Sequence, residues 1–373
     1  MLQGTRILDL TRVLAGPLCT MMLGDLGADV IKIERPGTGD ETRGWGPPFD
    51  DSGQSAYFLS VNRNKLSVGA DFDLPADREL IERLALEADV VVDNYRPGAL
   101  ERRSLGHERM RGRHPTLIWC TITGFGPDSQ RPGYDYVVQA ERGWMAITGE
   151  RDGAPMKSGV ALADVIAGKD AAIAILAALV ARAATGEGRH VSISLSRSAA
   201  AALINVAQNA LVTGRDAPRW GNAHPNLVPY QLFDAADRPI VIAVGSDAQW
   251  TSCVRALGLA ALERDASLST NAGRLAERER IVAAIAVRVR ERPASEWSRL
   301  LDESGVPNGL VKSVLETLRE EPASALTGVA PSVPGTVRLP PPRLDEHGDL
   351  VRARGWNAFE SAKGAEGAER FSP

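Results

Sequence analysis

Between Gly159 and Gly168 the chain carries one ionisable side chain, Asp164, set among Val160, Ala161, Leu162, Val165 and Ile166. A carboxylate in apolar surroundings is costly to bury unless something pairs with it. The same surroundings strip its hydration and raise its pKa, which suits a nucleophile or a proton-transfer group. The competing reading is a helix cap, in which the Asp164 oxygen takes a free backbone N–H two or three residues on. The segment alone leaves both open. A second set of groups is cationic or amide-bearing: Arg35, Lys65 at the end of Asn62-Arg63-Asn64-Lys65, Arg96 in Asn94-Tyr95-Arg96-Pro97-Gly98, and Arg102. Such groups suit the phosphates of a phosphorylated ligand.

These side chains need elements to place them. Arg6-Ile7-Leu8-Asp9-Leu10 reads as a buried strand, 18–26 as a helix, and 28–34 as a second strand, which together make a βαβ unit with parallel strands. Further strands fall at 90–92 and 117–122 with a helical stretch, 77–87, between them, and His190-Val191-Ser192-Ile193-Ser194-Leu195 alternates as a strand does. The expected fold class is α/β, an open, doubly wound parallel sheet. Such sheets bind ligands beyond the carboxyl ends of their strands, where Arg35 and Asn94-Tyr95-Arg96 fall. Glu34, ending the second strand, would suit a nicotinamide dinucleotide, but the turn Thr11-Arg12-Val13-Leu14-Ala15-Gly16-Pro17 lacks the glycine fingerprint that admits a pyrophosphate. From about 213 the texture changes. A hairpin at 230–244 and helices after 248, 273 and 293 suggest a smaller α+β domain, with the boundary near 200–215 and a proline-rich tail beyond Pro331.

Composition narrows the function. At 373 residues two domains are expected. A net charge of −4 argues against nonspecific nucleic-acid binding. Cys19, Cys120 and Cys253 are odd in number and widely spaced, which reads as reduced core thiols of a cytoplasmic protein with no metal site. The start has no apolar signal segment, and the uncharged run 171–181 is too short to span a bilayer, so no membrane partner is expected. Five scattered histidines support neither a metal site nor a Ser-His-Asp triad. Ser158, Ser192 and Ser194 lack the nucleophile-elbow context, and His224 and His347 read as structural. Trp45 falls in a Gly-rich, polar stretch, 35–45, that suits a ligand-facing loop.

The chain resembles the family III CoA-transferases, the group of formyl-CoA transferase, carnitine CoA-transferase and the α-methylacyl-CoA racemases. The resemblance rests on ordered segments running nearly end to end. They include Asp9-Leu10-Thr11 with Ala15-Gly16-Pro17, Leu26-Gly27-Ala28-Asp29-Val30-Ile31-Lys32-Ile33-Glu34-Arg35, and Thr42-Arg43-Gly44-Trp45. Gly133-Tyr134-Asp135 with Gln139, Gly159-Val160-Ala161-Leu162-Ala163-Asp164, and Gly221-Asn222-Ala223-His224-Pro225-Asn226 continue the set. The resemblance implies that Asp164 is a nucleophile, displacing CoA from an acyl-CoA donor and carrying it as an aspartyl thioester to a carboxylic acid acceptor. It implies CoA contacts at Leu14, Ala15, Arg35, Asn62, Lys65, Asn94, Tyr95, Arg96 and Arg102, with Tyr134 lining the way to Asp164. It also implies a large Rossmann-like domain, 1–200, completed by the tail 326–373, a small domain, 213–325, and an interlocked homodimer. No metal is implied.

Two departures bear on the reaction. The racemases carry a His where this chain has Tyr134, so racemase chemistry would lack a base, although a racemase-like enzyme using Asp164 in α-proton transfer is the alternative. Formyl-CoA transferase carries Gln where this chain has Leu14, and a glycine run where this chain has Val244-Gly245-Ser246-Asp247. The apolar Leu14 and the less glycine-rich loop point away from oxalate and toward a larger dicarboxylate such as glutarate, itaconate or citramalate, with succinyl-CoA as donor. A CoA-binding protein without catalysis would be expected to lack Asp164.

Overall fold

The computed structural model describes residues 1–320 and 329–365. The chain divides into two compact units. The first takes Met1–Met145, Lys157–Arg215 and the C-terminal stretch, and the second takes Ala146–Met156 and Asp216–Glu320.

In the first unit the order is β1 (Arg6–Asp9), α1 (Ala15–Asp25), β2 (Asp29–Glu34), α2 (Ala56–Leu59), β3 (Lys65–Gly69), α3 (Pro75–Leu86) and β4 (Val90–Asp93). There follow α4 (His107–Arg113), β5 (Ile118–Thr123), α5 (Asp135–Glu141), α6 (Trp144–Ile147), which runs across the unit boundary, α7 (Leu162–Thr185), β6 (His190–Ser194), α8 (Leu195–Ala201) and α9 (Ile204–Thr213). Six parallel strands stand in the order β3-β2-β1-β4-β5-β6. The order reverses between β1 and β4, and such a point leaves a crevice beyond the strand ends. Near-continuous apolar runs, Ile7-Leu8 and Val90-Val91-Val92, let the inner strands bury both faces. One face packs on α1 and α7 through Ile7, Cys19, Val30, Ile118 and Ile175. The other takes Leu8, Ile31, Val91 and Trp119 together with Trp356 and Phe359 of the tail.

The tail lies along the open edge of β3. Asn64 Oδ1 accepts the N–H groups of Arg338 and Leu339 at 2.6 and 3.0 Å, and Asp345 Oδ1 accepts that of Gly69 at 2.7 Å. Positions 321–328 and 366–373 of the expected domains lie outside the described residues. All three cysteines are free and buried, and burial pushes the Cys253 thiol up to about 12.

The second unit holds the antiparallel sheet β7 (Tyr230–Asp234), β8 (Pro239–Ala243) and β9 (Asn308–Leu310), with helices packed around Trp250, Ile281, Ile285 and Trp297. The hairpin matches the sequence reading, whereas β9 is a strand that the sequence reading did not include. Ala146–Met156, expected in the large domain, also belongs here. Arg219 gathers it, donating Nε to the Glu150 carbonyl at 3.1 Å and Nη2 to that of Gly153 at 2.5 Å.

Candidate active site

The β1–α1 turn forms one wall of the site. Val13 has φ +69°, in the left-handed region that a β-branched side chain avoids. Such strain persists only where the surroundings over-determine it, and here they do. The Asp40 carboxylate accepts the Val13 N–H at 3.2 and 3.1 Å. Asn94 clasps Arg12, accepting its N–H at 3.0 Å and donating Nδ2 to its carbonyl at 2.8 Å. Asp40 is buried and paired with Lys32 at 3.1 Å. Burial raises its pKa, but Lys32 and the Thr42 and Val13 donors outweigh that and leave it below the ordinary range. The turn delivers Leu14 and Ala15 to a cleft of about 920 Å³ whose lining also includes Asp164. No side chain caps α1, so the positive end of that helix lies at the cleft wall with its first-turn N–H groups uncapped.

Asp164 sits in the first turn of α7, whose N-cap is Ala161 with no side-chain cap bond. The helix-cap reading of Asp164 is therefore corrected. Its carboxylate has no hydrogen bond or ion pair among the described residues. Burial first, and then the nearby Asp135 charge, push its pKa up to about 7. The positive end of α7 opposes this, but a helix terminus contributes only about 0.3–1 kcal/mol, less than desolvation and a like charge together.

The expected ligand contacts separate into three groups. Leu14, Ala15, Asn94, Tyr95, Arg96 and Tyr134 line the Asp164 cleft, and Tyr134 is 57% exposed just ahead of α5. Arg35 is exposed at the end of β2 and lines a second cleft of about 690 Å³. Arg12, Glu41 and Tyr95 border both clefts, with Arg12 ion-paired to Glu41 and lying 5.3 Å over the Tyr95 ring. Arg102 is exposed on the 3-10 turn Glu101–Arg103 and lines neither cleft.

Asn62 and Lys65 line neither cleft. Both are buried, and the Lys65 ammonium spends its three donors on Asp9 Oδ2 at 3.0 Å, the Pro17 carbonyl at 2.9 Å and Asn62 Oδ1 at 2.9 Å. They join β3 to β1 and α1 beneath the turn. Burial draws the Lys65 pKa down to about 8, although Asp9 works the other way. Trp45 is 41% exposed and meets Tyr57 edge-on, with ring centroids 5.1 Å apart.

Sequence reasoning missed the work of two residues it had quoted. Asp135 is buried at the start of α5 beside Asp164, and Gln139 is buried one turn later. An acidic residue opening a helix, with Gln at i+4, was the available signal. No histidine of the described residues lines the Asp164 cleft. His107 and His190 stack with centroids 3.8 Å apart and border a separate cavity, where burial and then His107 lower the His190 pKa to about 4.

Comparison with known proteins bears on the family and the fold. The sequence profile of CoA-transferase family III matches residues 2–347. A succinyl-CoA:glutarate CoA-transferase of Mus musculus is 44% identical over 322 residues, 86% of this chain and 74% of that protein. A succinate–glutarate CoA-transferase of Agrobacterium fabrum is 38% identical over 379 residues, covering 94% of this chain and 95% of that protein. Among solved structures, a CAIB/BAIF family protein from Brucella suis superposes with a TM-score of 0.83 at 39% identity, covering 94% of this chain and 98% of that one.

Proposed function

This chain belongs to CoA-transferase family III, and from that premise we propose that it moves CoA from succinyl-CoA to a dicarboxylic acid through a thioester on Asp164. The observation that carries the proposal is the unpaired Asp164 carboxylate on the cleft wall, its pKa raised to about 7 by burial and by Asp135. A weakly solvated, unpaired carboxylate is a stronger nucleophile than one in water. The names of the two relatives, both acting on glutarate, support a dicarboxylate acceptor.

In this mechanism an Asp164 oxygen attacks the thioester carbonyl carbon of succinyl-CoA, the C–S bond breaks, and CoA leaves as thiolate. The thiolate then attacks the Asp164 carbonyl carbon of the mixed anhydride, and succinate departs with the bridging oxygen. The acceptor carboxylate attacks the aspartyl thioester, and the steps reverse onto the new acid. Thioester energy is retained throughout, since each bond made resembles the bond broken. Developing oxyanions lie within reach of the uncapped first turn of α1, where Ala15 borders the cleft. The CoA nucleotide takes the cleft at Arg35, and its pantetheine arm passes Tyr95, Asn94 and Arg96 toward Asp164 and Tyr134. Leu14 gives the acyl chain an apolar wall.

The working form in this reading is a homodimer, supported by apolar side chains exposed on α7 and α9, among them Val180 and Leu211. Among the described residues no histidine lines the cleft, so the histidine base expected of a racemase has no counterpart there.

Intact-protein mass after mixing with succinyl-CoA tests the proposal. A CoA-sized adduct is expected, released by hydroxylamine and missing from Asp164→Ala. Discharge of that adduct by glutarate, but not by oxalate, would support the acceptor class. No adduct, together with solvent exchange of the α-proton of a 2-methylacyl-CoA, would replace the transferase reading with the racemase one.

A further inference from the structure

The segment that brings the chain into α7 is held by a buried line of side chains that the reaction as written does not use. Asp135 Oδ1 accepts the N–H of Ala163, the residue before Asp164, at 2.8 Å. Asp135 Oδ2 accepts from Gln139 Nε2 at 2.6 Å, and Gln139 Oε1 accepts from Ser158 N–H at 2.9 Å and Ser158 Oγ at 3.2 Å. Ser158 Oγ also donates to the Val160 carbonyl at 2.8 Å. Gln139 is fully buried and Asp135 nearly so. The two residues sit on one face of α5, four apart, and their bonds reach Ser158 at one end and Ala163, in the first turn of α7, at the other.

We infer that Asp135 is a positioning residue for Asp164: its carboxylate fixes the first turn of α7 and keeps a negative charge beside the nucleophile. The inference rests on the reading of Asp164 as the group that carries CoA. Both Asp135 oxygens are engaged by N–H donors, an arrangement that suits an anion. A capping carboxylate is ordinary at a helix start, but here the capped residue adjoins a second carboxylate that has no partner. The other charged and titratable groups around Asp164 do not cancel the pair. Tyr57 of α2 feels the Asp164 and Asp135 charges, and its hydroxyl pKa is raised by burial and then by them. Across the cleft, Arg12 is paired with Glu41 and Arg131 with Glu141, while Arg96 and Tyr134 are exposed. The raised pKa of Asp164 has Asp135 as its second cause after burial.

The consequence is chemical. Attack on an acyl-CoA turns the Asp164 carboxylate into a neutral thioester and releases the donor acid as a carboxylate, so the negative charge leaves the site with the acid. Repulsion from Asp135 is present before that exchange and absent after it. Asp135 thus favours the covalent intermediate by the same free energy by which it disfavours the Asp164 anion.

Asp135→Asn removes the charge and keeps an oxygen for the Ala163 N–H, and Asp135→Ser does the same with a smaller acceptor. The rate of adduct formation from succinyl-CoA is followed by intact mass against pH for wild type and both variants, with circular dichroism as the check on folding. The expected result is a wild-type midpoint near pH 7 and a variant midpoint lower by about one pH unit or more. The ratio of thioester to free enzyme at fixed succinyl-CoA and succinate is expected to fall about tenfold for each pH unit by which the midpoint drops. A lost cap alone would reduce rate or melting temperature with the midpoint unmoved, and that result in a folded variant overturns the inference. Loss of folding in both variants also overturns it, making Asp135 a brace for the fold. Failure of wild type to form any adduct defeats the Asp164 reading itself, a result separable from the others.

Discussion

With its pKa pushed up to about 7, the Asp164 carboxyl still holds a proton in the folded chain at pH values where the unfolded chain has released it. The sign follows from linkage: between about pH 4 and pH 7 the folded state binds more protons, so stability falls as pH rises through that window. Raising a carboxyl from about 4 to about 7 corresponds to roughly 4 kcal/mol at most, and partial exposure of the side chain reduces that to about 2 kcal/mol. Asp164→Asn keeps the shape and removes the charge. Its melting temperature is expected to exceed wild type by about 4 °C or more at pH 8, taking roughly 2–4 °C per kcal/mol for a domain of this size. At pH 4 the two proteins should melt together, and an equal gain at both pH values would show that Asp164 is not held at a raised pKa. Asp164 was legible in the sequence because it is the one ionisable residue in a ten-residue apolar segment. Lys65 was not, because a polar run such as Asn62-Arg63-Asn64-Lys65 looks the same whether it meets a phosphate or a buried Asp9.

The position of Asp164 depends on how closely α7 approaches α1. Gly168 lies one turn beyond Asp164 on the same face, and a Cβ added there would stand 2.6 Å from the Ala15 carbonyl oxygen and 3.3 Å from Leu18 Cδ2. Ala15 lines the Asp164 cleft, so this contact sets the distance between the two cleft walls. Two effects oppose each other in Gly168→Ala. Helix propensity favours alanine by about 1 kcal/mol. Overpacking against backbone, which cannot rotate away as a side chain can, costs about 1–3 kcal/mol. The clash is expected to win, lowering the melting temperature by several degrees and kcat more than KM. A variant that is more stable and fully active would show that the helices have room to separate. Most elements of this unit were legible, since Ile7-Leu8, Val30-Ile31 and Val90-Val91-Val92 are apolar runs between turn signals. β3 was missed because Lys65-Leu66-Ser67-Val68-Gly69 opens on a charge whose partner is remote in sequence. β9 is three residues long, too short for any periodicity to register.

At the scale of the molecule, the helix α9 lacks a structural reason to persist in a single chain. It is ten residues long and has no buried residue, and Ile204, Leu211 and Val212 are 73%, 76% and 75% exposed. Isolated helices shorter than about 12–15 residues are marginal in water, and most helix stability comes from packing an apolar face. α7, by contrast, buries Ala171, Ile175 and Ala178 yet leaves Ile173 at 65% and Val180 at 74%. Exposed apolar side chains on each of these two helices mark surface that something covers, and the homodimer of the proposed function supplies a second copy as the cover. Light scattering on the purified protein is expected to give twice 39.9 kDa across the micromolar range. Leu211→Asp combined with Val212→Asp places two charges on that surface and is expected to shift the mass toward 39.9 kDa with loss of helical signal. A wild type that stays at the single-chain mass at every concentration, with α9 protected from hydrogen exchange, would mean that the cover comes from within the chain and that no dimer is needed.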